Sequence, residues 1–280
     1  MKQAIPYLRQ LLQGIYPAGE IQALVFLMLE KKYHLTKLDV CMGKDKTLSP
    51  EERQEWTDIA HRLAKKEPVQ YVLGEADFYG RVFKVTPHTL IPRPETAELV
   101  DWIVTDHNRN ACGKKILDIG TGSGCIALSL AGAMPGTKVE GWDFSDGALQ
   151  TARENSTRLN IPVTFHQQDI LADPLPALQF DLIVSNPPYI TESERSDMDS
   201  NVLDWEPDTA LFVPDTDPLL FYRAIARFAL QALTPGGTLY FEINRAFGRE
   251  TEAMLHTLGF THTELRKDFF GNDRMMKAQR

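Results

Sequence analysis

The feature that most constrains the fold is an apolar run, Phe180–Ser185, followed directly by Asn186-Pro187-Pro188-Tyr189. A run of this length that contains Ile and Val is typical of a buried β-strand. Neither proline can continue the strand, because each lacks a backbone N–H and has a fixed φ. The chain must therefore turn at the carboxyl end of a core strand, which is the edge where open α/β sheets bind ligands.

This turn carries groups that suit a planar amide or amine. Asn186 offers a side-chain carbonyl, Pro187 offers a backbone carbonyl with no N–H donor, and Tyr189 offers a ring face. An ordinary turn without chemistry is the alternative interpretation. We favour a binding turn, because all three groups follow a single buried strand.

Composition and charge narrow the class of protein. The chain has 280 residues, 43% apolar and 24% charged, enough for one large or two modest globular domains. A formal charge of −8 argues against broad binding to a nucleic-acid backbone. The three cysteines match no zinc spacing, so we predict no metal site. With no apolar run of membrane-spanning length and no signal-peptide pattern, we expect a cytoplasmic monomer.

The pattern changes twice along the chain, and we expect three parts: residues 1–74, 75–92 and 93–280. Apolar residues at three- and four-residue steps predict a small all-helical first part. Alternation around a glycine predicts a β-hairpin in the second. From residue 114 strands and helices alternate, which predicts a doubly wound, mostly parallel α/β sheet. The expected strands are Lys115–Ile119, Thr137–Phe144, Val163–Gln168, Phe180–Ser185 and Thr238–Ile243, with two closing strands near 261–266 and 274–278.

Two further stretches are expected to be loops beside the sheet. Residues 91–96, Ile-Pro-Arg-Pro-Glu-Thr, have two prolines around an arginine and precede a helix predicted from Ala97 to about Thr105. Residues 191–216 are polar and acidic with little periodicity, which predicts a long loop. Long loops in compact domains are often functional lids.

A glycine-rich turn follows the first strand of the sheet. Gly120, Gly122 and Gly124 form Gly-x-Gly-x-Gly, where the dinucleotide fingerprint is Gly-x-Gly-x-x-Gly. Glycines let the backbone approach a ligand closely. About twenty residues later the second strand ends at Asp143, which is placed to accept hydrogen bonds from ribose hydroxyls. NAD and S-adenosylmethionine both need this arrangement.

Asp118 favours S-adenosylmethionine of the two cofactors. A carboxylate suits a cationic amino-acid ligand, whereas beside a pyrophosphate it would be repulsive. A helix-capping role for Asp118 is the alternative. After the third strand, Asp169 is placed to face an adenine amino group and Ile170 to pack on the adenine ring. A plain surface turn is the alternative for both residues.

Together these motifs resemble class I S-adenosylmethionine-dependent methyltransferases, and more narrowly the HemK/PrmC family of peptide chain release factor N(5)-glutamine methyltransferases. The resemblance extends along nearly the whole chain, and five stretches carry it in order: residues 68–74 (Pro-Val-Gln-Tyr-Val-Leu-Gly), 91–96, 118–124 and 186–190, and Glu206-Pro207 with Ala210-Leu211. Asn-Pro-Pro-Tyr alone is shared with adenine-N6 DNA and RNA methyltransferases. The Ile-Pro-Arg-Pro-Glu-Thr loop narrows the family, since ribosomal-protein glutamine methyltransferases have Arg-Ser-Pro there.

The resemblance implies an activity, a cofactor and a partner. The substrate is the glutamine side chain in the Gly-Gly-Gln loop of class-one release factors, and the methyl donor is S-adenosyl-L-methionine. The implied substrate pocket comprises Asn186, Pro187, Pro188 and Tyr189. The implied cofactor contacts are Gly120, Thr121, Gly122, Ser123, Gly124, Asp143 and Asn186.

Other positions are assigned beside that framework. We expect the helical domain to recognise the release factor, with no nucleic acid or membrane as partner. Arg93 and Glu95 are assigned to the pocket wall or to pairing across the domain junction, with a purely structural loop as the alternative. The chain departs from the family at Ile170, where some members have an aromatic residue. It also has Asn244 where Glu-Ile-Gly is commoner.

The mechanistic hypothesis needs no strong base. The Asn186 side-chain carbonyl and the Pro187 backbone carbonyl accept the two amide N–H groups and fix the nitrogen in line with the sulfonium methyl. Both acceptors then stabilise the positive charge that builds on nitrogen, while Tyr189 covers the amide face. Catalysis is therefore assigned to Asn186, Pro187 and Tyr189.

Three other functions remain as alternatives. An adenine-N6 nucleic-acid methyltransferase would grip a flipped-out base with the same acceptors, but the acidic charge disfavours it. A non-catalytic module that binds S-adenosylmethionine or a translation factor is disfavoured by the intact motifs. A nicotinamide dehydrogenase is disfavoured by the glycine spacing and by Asp118.

Overall fold

The structure is a computed structural model that describes residues 4–42, 44, 46–107, 111–172 and 175–280. The chain forms two compact units. One holds the chain up to Gly74 together with Asp199–Trp205, and the other holds Glu75–Met198 and Glu206–Arg280. Within the described ranges, no helix is long and apolar enough to cross a membrane.

The first unit is helical, as the sequence predicts. Its amino-terminal helices are α1 (Ala4–Leu12), α2 (Ala18–Tyr33), α3 (Lys37–Cys41), α4 (Pro50–Ala64) and α5 (Val69–Leu73). The start of α4 is fixed by a capping box, in which Ser49 Oγ accepts from the Glu52 N–H and the Glu52 side chain accepts from the Ser49 N–H. Leu12, Met28 and Trp56 are among the fully buried side chains that hold the helices together.

The predicted β-hairpin and the helix after it begin the second unit. Strands β1 (Glu75–Phe78) and β2 (Arg81–Lys84) pair in antiparallel fashion. Helix α6 (Pro94–His107) begins three residues before the predicted Ala97. Proline is favoured in the first helical turn, where its missing N–H has no partner to lose, and a glutamate there suits the helix dipole.

A seven-stranded sheet flanked by helices forms most of the second unit, which confirms the doubly wound prediction. From residue 115 onwards the chain forms, in order, β3 (Lys115–Ile119), α7 (Cys125–Ala133), β4 (Lys138–Asp143), α8 (Asp146–Leu159), β5 (Thr164–Gln167), β6 (Phe180–Ser185), β7 (Ile190–Thr191), α9 (Ser200–Leu203), α10 (Asp208–Leu211), β8 (Phe212–Val213), α11 (Leu220–Ala232), β9 (Leu233–Glu242), α12 (Gly248–Leu258), β10 (Thr261–Lys267) and β11 (Asp273–Gln279). Of these, α9 belongs to the first unit, and β7 and β8 form a separate two-stranded sheet. The strand order is β10-β11-β9-β6-β3-β4-β5. Strands β5, β4, β3, β6 and β9 are parallel, and β11 is antiparallel to both of its neighbours.

Alternate residues of each central strand face opposite helical layers. On β6, Leu182 and Val184 pack with α6 and α7, while Ile183 packs with α11. A strand covered on both faces reads as a continuous apolar run, which is why the predicted and observed bounds of β6 coincide.

The prediction of a long loop over residues 191–216 is wrong. The segment holds a 3₁₀ helix, Glu192–Asp197, and two short α-helices, and its flanking strands β7 and β8 pair in parallel. Each element has only two to six residues, which is too short to show a period. Strand β9 also begins earlier than expected, because its first residues include Pro235 and two glycines and lack apolar alternation.

The register brings the ends of the parallel strands together. Ile119 at the end of β3 lies beside Ser185 of β6 on one side and Trp142 of β4 on the other. The chain runs from β3 through β4 to β5 and then returns to β6 on the opposite side of β3. The carboxyl end of β3 is therefore the topological switch point, where a ligand crevice is expected.

Candidate active site

A cavity of about 370 Å³ lies at this switch point. Most of the predicted site residues line it: Arg93, Gly120, Thr121, Gly122, Ser123, Asp143, Asp169, Ile170, Asn186, Pro187 and Pro188. Four predicted residues, Glu95, Asp118, Gly124 and Tyr189, are not among the residues that line it. The structure thus brings most of the glycine loop and of the Asn-Pro-Pro-Tyr turn to one cavity.

The glycine loop is tightly folded under the cavity. The N–H groups of Gly120 and Thr121 both donate to the Trp142 carbonyl at 2.9 Å. Gly120 has φ +71°, a region that side chains rarely adopt. Gly124 is the N-cap residue of α7, and a Cβ there would lie 3.1–3.3 Å from the side chains of Leu128, Ala152 and Phe165. Close packing at the start of the helix therefore requires the third glycine.

Asp143 is fixed by the backbone on both of its oxygens. Its Oδ2 accepts from the Gly122 N–H and its Oδ1 from the Ser145 N–H, each at 2.9 Å. Burial raises the pKa of the Asp143 carboxyl, and these hydrogen bonds oppose the shift. The carboxylate is thus held rigidly at the cavity, between the glycine loop and the start of α8.

Asp118 is fully buried beneath the loop. Its Oδ2 accepts from Thr121 Oγ1 at 2.6 Å and from the Ala127 N–H at 3.2 Å, while burial raises the pKa of the carboxyl to about 7. The helix-capping interpretation therefore holds for Oδ2, which accepts from an N–H in the first turn of α7. The other oxygen, Oδ1, has no hydrogen-bond partner within the described residues, and neither has Ser123 Oγ.

These observations test whether the loop fits S-adenosylmethionine. Buried polar atoms normally have partners, so Ser123 Oγ, on a residue that lines the cavity, is left for a polar ligand. Asp143 supplies a fixed carboxylate where ribose hydroxyls are expected. The donor and acceptor set fits the cofactor. At the third strand, Asp169 Oδ1 accepts from the Leu171 N–H at 2.9 Å, and Ile170 lines the cavity.

On the substrate side, the side chains of the Asn-Pro-Pro-Tyr turn are held from behind. Asn186 Nδ2 donates to Thr96 Oγ1 at 3.3 Å. The Tyr189 hydroxyl donates to Glu242 Oε1 at 3.0 Å, and burial, followed by the charge of Glu242, raises the pKa of Tyr189. Tyr189 is thus anchored behind the turn through its hydroxyl.

Sequence reasoning missed Glu242 as a site residue. The residue follows Phe241, which pairs with Ser185, so its carboxyl lies beside the start of the Asn-Pro-Pro-Tyr turn. It accepts from Thr96 Oγ1 at 2.6 Å as well as from Tyr189, and burial raises its pKa. A buried carboxylate at the end of a core strand was the available signal, because parallel strands end at one edge of the sheet.

Two more residues belong to the surroundings of the site, Asn244 behind the turn and Phe144 on the cavity wall. Asn244, the departure from the family pattern, donates through Nδ2 to the Tyr189 carbonyl at 3.0 Å and to Glu194 at 2.9 Å. It therefore ties the turn and the 3₁₀ helix to the end of β9. Phe144, which follows Asp143, lines the cavity with 52% of its surface exposed and was also missed.

Arg93 and Glu95 have different surroundings. Arg93 forms an ion pair at 2.6 Å with Glu206, whose side chain is buried and also accepts from the Ile91 N–H at 3.1 Å. This pair joins the proline loop to the segment before α10. Glu95 lies half-buried in the first turn of α6, where its charge contributes to the raised pKa of Glu242.

Comparison with known proteins relates the chain to one family. The family described as "Methyltransferase small domain" matches residues 99–203, and the "PrmC N-terminal domain" matches residues 3–74. A release factor glutamine methyltransferase of Bacteroides thetaiotaomicron is 50% identical to the chain, over 100% of both proteins. Another, of Flavobacterium psychrophilum, is 44% identical over 96% of this chain and 95% of the relative.

Solved structures agree on the fold. The 16S rRNA methyltransferase RsmC of Thermus thermophilus, solved with AdoMet and guanosine, superposes with a TM-score of 0.54. It is 18% identical, and the match covers 74% of this chain and 49% of the other. At that identity the likeness concerns the fold alone.

Proposed function

Because the chain belongs to the family of release factor glutamine methyltransferases, we propose that it transfers a methyl group from S-adenosyl-L-methionine to the side-chain nitrogen of a release-factor glutamine. By family resemblance, this is the glutamine of the Gly-Gly-Gln motif in class-one release factors. The observation that carries the proposal is the position of the Asn186 turn beside the glycine loop. A Cβ on Gly120 would lie 3.9 Å from the Asn186 backbone oxygen.

The Asn-Pro-Pro-Tyr turn binds the glutamine amide in this proposal. Because Asn186 Nδ2 is engaged by Thr96, its side-chain oxygen is left to accept one amide N–H. The Pro187 carbonyl accepts the other, and a proline presents no N–H donor that would repel the amide. Two acceptors held rigidly at the cavity stabilise the positive charge that develops on the nitrogen as the methyl group is transferred. The methylated amide then releases one of its two N–H protons to solvent and becomes neutral.

The cofactor would be held by the loop side of the cavity. Asp143 would bind the ribose hydroxyls, and the glycine loop would lie against the rest of the molecule. Ser123 Oγ, on a residue that lines the cavity and without a partner among the described residues, would receive one of its polar groups, while Asp118 would support the loop from beneath through Thr121. When bound, S-adenosylmethionine supplies an electrophilic methyl group on its sulfonium. The protein's own residues would bind the glutamine amide, orient it and exclude water from it.

We further propose that the protein acts as a cytoplasmic monomer on a protein substrate, without nucleic acid. The formal charge of −8 supports the absence of a nucleic-acid substrate, since nucleic-acid enzymes generally present a basic surface. None of the described residues that line the cavity favours the adenine-N6 alternative over glutamine.

A radiolabelled methyl-transfer assay tests the activity. The targets are a purified release factor, the same factor with its Gly-Gly-Gln glutamine replaced, and adenine-containing DNA and RNA. We expect label on the first target only. Label on nucleic acid would establish the adenine methyltransferase instead, and label on nothing would favour a binding module.

The helical unit is proposed to recognise the release factor. Leu38 on α3 is 67% exposed and Met42, one turn later, is 70% exposed. The Met42 N–H donates to the Leu38 carbonyl at 2.9 Å, so both side chains share one face of a helical turn. Exposed apolar side chains side by side commonly mark a protein-binding surface.

The double variant Leu38→Ser/Met42→Ser tests this assignment. Loss of two buried apolar contacts should raise KM for the release factor about tenfold and leave kcat unchanged. Leu178→Ser, at an exposed leucine of the other unit, is the matched control. An unchanged KM in the double variant would place recognition elsewhere.

A further inference from the structure

A chain of hydrogen bonds lies behind the substrate turn. Asn186 Nδ2 donates to Thr96 Oγ1 at 3.3 Å, and Thr96 Oγ1 donates to Glu242 Oε2 at 2.6 Å. The residues are far apart in sequence, on the turn after β6, in the first turn of α6 and at the end of β9. Thr96 and Glu242 are both buried, so water does not compete for these bonds.

The direction of this chain is set by counting protons. Hydroxyls of Thr96 and Tyr189 donate to the two oxygens of Glu242, and these bonds and the charge of Arg274 oppose the burial that raises its pKa, so we take the carboxyl as ionised. An ionised carboxylate only accepts hydrogen bonds, and a hydroxyl has a single proton to donate. The short contact commits the proton of Thr96 to Glu242, so the Thr96 oxygen can only accept from Asn186. Asn186 must then turn its NH₂ group towards Thr96, and its carbonyl oxygen is left for the cavity.

The second oxygen of Glu242 has a matching role. It accepts from the Tyr189 hydroxyl at 3.0 Å, and the Tyr189 oxygen in turn accepts from Arg274 at 3.4 Å. Both ends of the Asn-Pro-Pro-Tyr turn are thus fastened to one carboxylate. No donor among the described residues occupies the Asn186 side-chain oxygen.

We propose that Thr96 and Glu242 are positioning residues that determine which end of the Asn186 amide faces the substrate. The inference rests on the proposed glutamine methyl transfer, in which Asn186 must accept and not donate. A reversed amide would point its NH₂ group at the NH₂ group of the glutamine. The two donors would repel, and the nitrogen would lose an acceptor as its charge develops.

Three substitutions distinguish the direction of the hydrogen bonds from the volume of the side chains. Thr96→Val keeps the shape and removes the hydroxyl, Thr96→Ser keeps the hydroxyl, and Glu242→Gln introduces a donor. In Glu242→Gln the new NH₂ group can donate to Thr96, whose proton then turns to the Asn186 oxygen and reverses the chain. Thr251→Val is the matched control, because Thr251 is fully buried and its hydroxyl donates only to the Phe247 carbonyl of its own helix.

Steady-state kinetics with a purified release factor test the proposal. Thr96→Val and Glu242→Gln should lower kcat on the order of 10- to 100-fold, as expected for a misoriented reacting group. KM for S-adenosylmethionine and the thermal stabilisation by S-adenosylhomocysteine should stay at the wild-type level. Thr96→Ser should recover most of kcat, and Thr251→Val should not lower it. Thr96→Ala tests the same hydroxyl if the valine variant does not fold.

The outcomes distinguish this inference from the function on which it rests. Absence of label with the wild type overturns the proposed function and this inference with it. Label with the wild type and an equal kcat for Thr96→Val overturns the inference alone. A serine variant as impaired as the valine variant, or cofactor binding lost in proportion to kcat, would also overturn it, because the role of Thr96 would then be bulk packing.

Discussion

The glycine loop after β3 and the Asn-Pro-Pro-Tyr turn after β6 face the same cavity, and they are built from opposite kinds of residue. The loop uses glycines with positive φ and is fastened by backbone N–H groups to Trp142 and Asp143. The turn uses prolines and is fastened by side chains, through Thr96 and Glu242. A loop that wraps a large cofactor needs close backbone approach, whereas a turn that reads a small amide needs one fixed acceptor geometry.

The largest effect should come from the acceptor of the turn. Asn186→Ala removes the side-chain carbonyl and should lower kcat about 100- to 1000-fold, the cost of losing one group that stabilises transition-state charge. Stabilisation by S-adenosylhomocysteine should largely persist, because the variant removes only the side-chain part of the implied Asn186 contact and leaves the glycine loop and Asp143 intact. The measurements are methyl transfer to a release factor and the thermal shift.

Gln150→Ala is the control for this variant, since Gln150 is an exposed side-chain amide on α8. A near wild-type kcat in Asn186→Ala, with the cofactor still bound, would contradict the acceptor mechanism and remove the functional contrast between turn and loop.

The loop side should respond in binding of the cofactor. Asp143→Ala removes the carboxylate that accepts from Gly122 and Ser145, and with it the expected partner of the ribose. Loss of charge-assisted hydrogen bonds of this kind costs about 1.5–3 kcal/mol, so KM for S-adenosylmethionine should rise about 10- to 100-fold. At saturating cofactor, kcat should fall much less than in Asn186→Ala.

Asp146→Ala provides the comparison, because Asp146 is an exposed carboxylate in the first turn of the helix that follows. If Asp143→Ala lowered kcat and left KM for the cofactor unchanged, the division of labour between loop and turn would be wrong.

The sequence predicts the glycine loop more completely than the surroundings of the Asn-Pro-Pro-Tyr turn, for a physical reason. The glycine loop is local, since its spacing and the strand before it lie within ten residues. The fastening of the turn is not, because Thr96 and Glu242 are 146 positions apart and meet only through the order of the strands. The sequence also predicted a ring face for Tyr189, whereas its hydroxyl partner depends on β9. Asn244 is bonded to the turn in the same non-local way.

The smallest effect on activity concerns Asp118 under the glycine loop. It tests whether the loop, unlike the turn with Glu242, lies over a neutral carboxyl. The pKa of Asp118 is about 7 in the folded protein against an ordinary value of 3.8, because burial disfavours the charge. The folded state therefore holds the proton more tightly than the unfolded state, and this contribution to stability is lost as pH rises from about 4 to about 7. Asp118→Asn stays neutral and should not show that loss.

The measured quantity is the difference in Tm between Asp118→Asn and the wild type, without cofactor, across this pH range. This difference in Tm should move in favour of the variant as pH rises, by about 2–4 °C for each kcal/mol of unfolding free energy that the wild type loses. His107, whose pKa burial lowers to about 4, changes stability in the opposite direction but is common to both proteins, so the difference cancels it. A difference in Tm that does not vary with pH would mean that Asp118 is ionised at ordinary pH. The loop would then lie over a buried charge, one oxygen of which has no partner among the described residues.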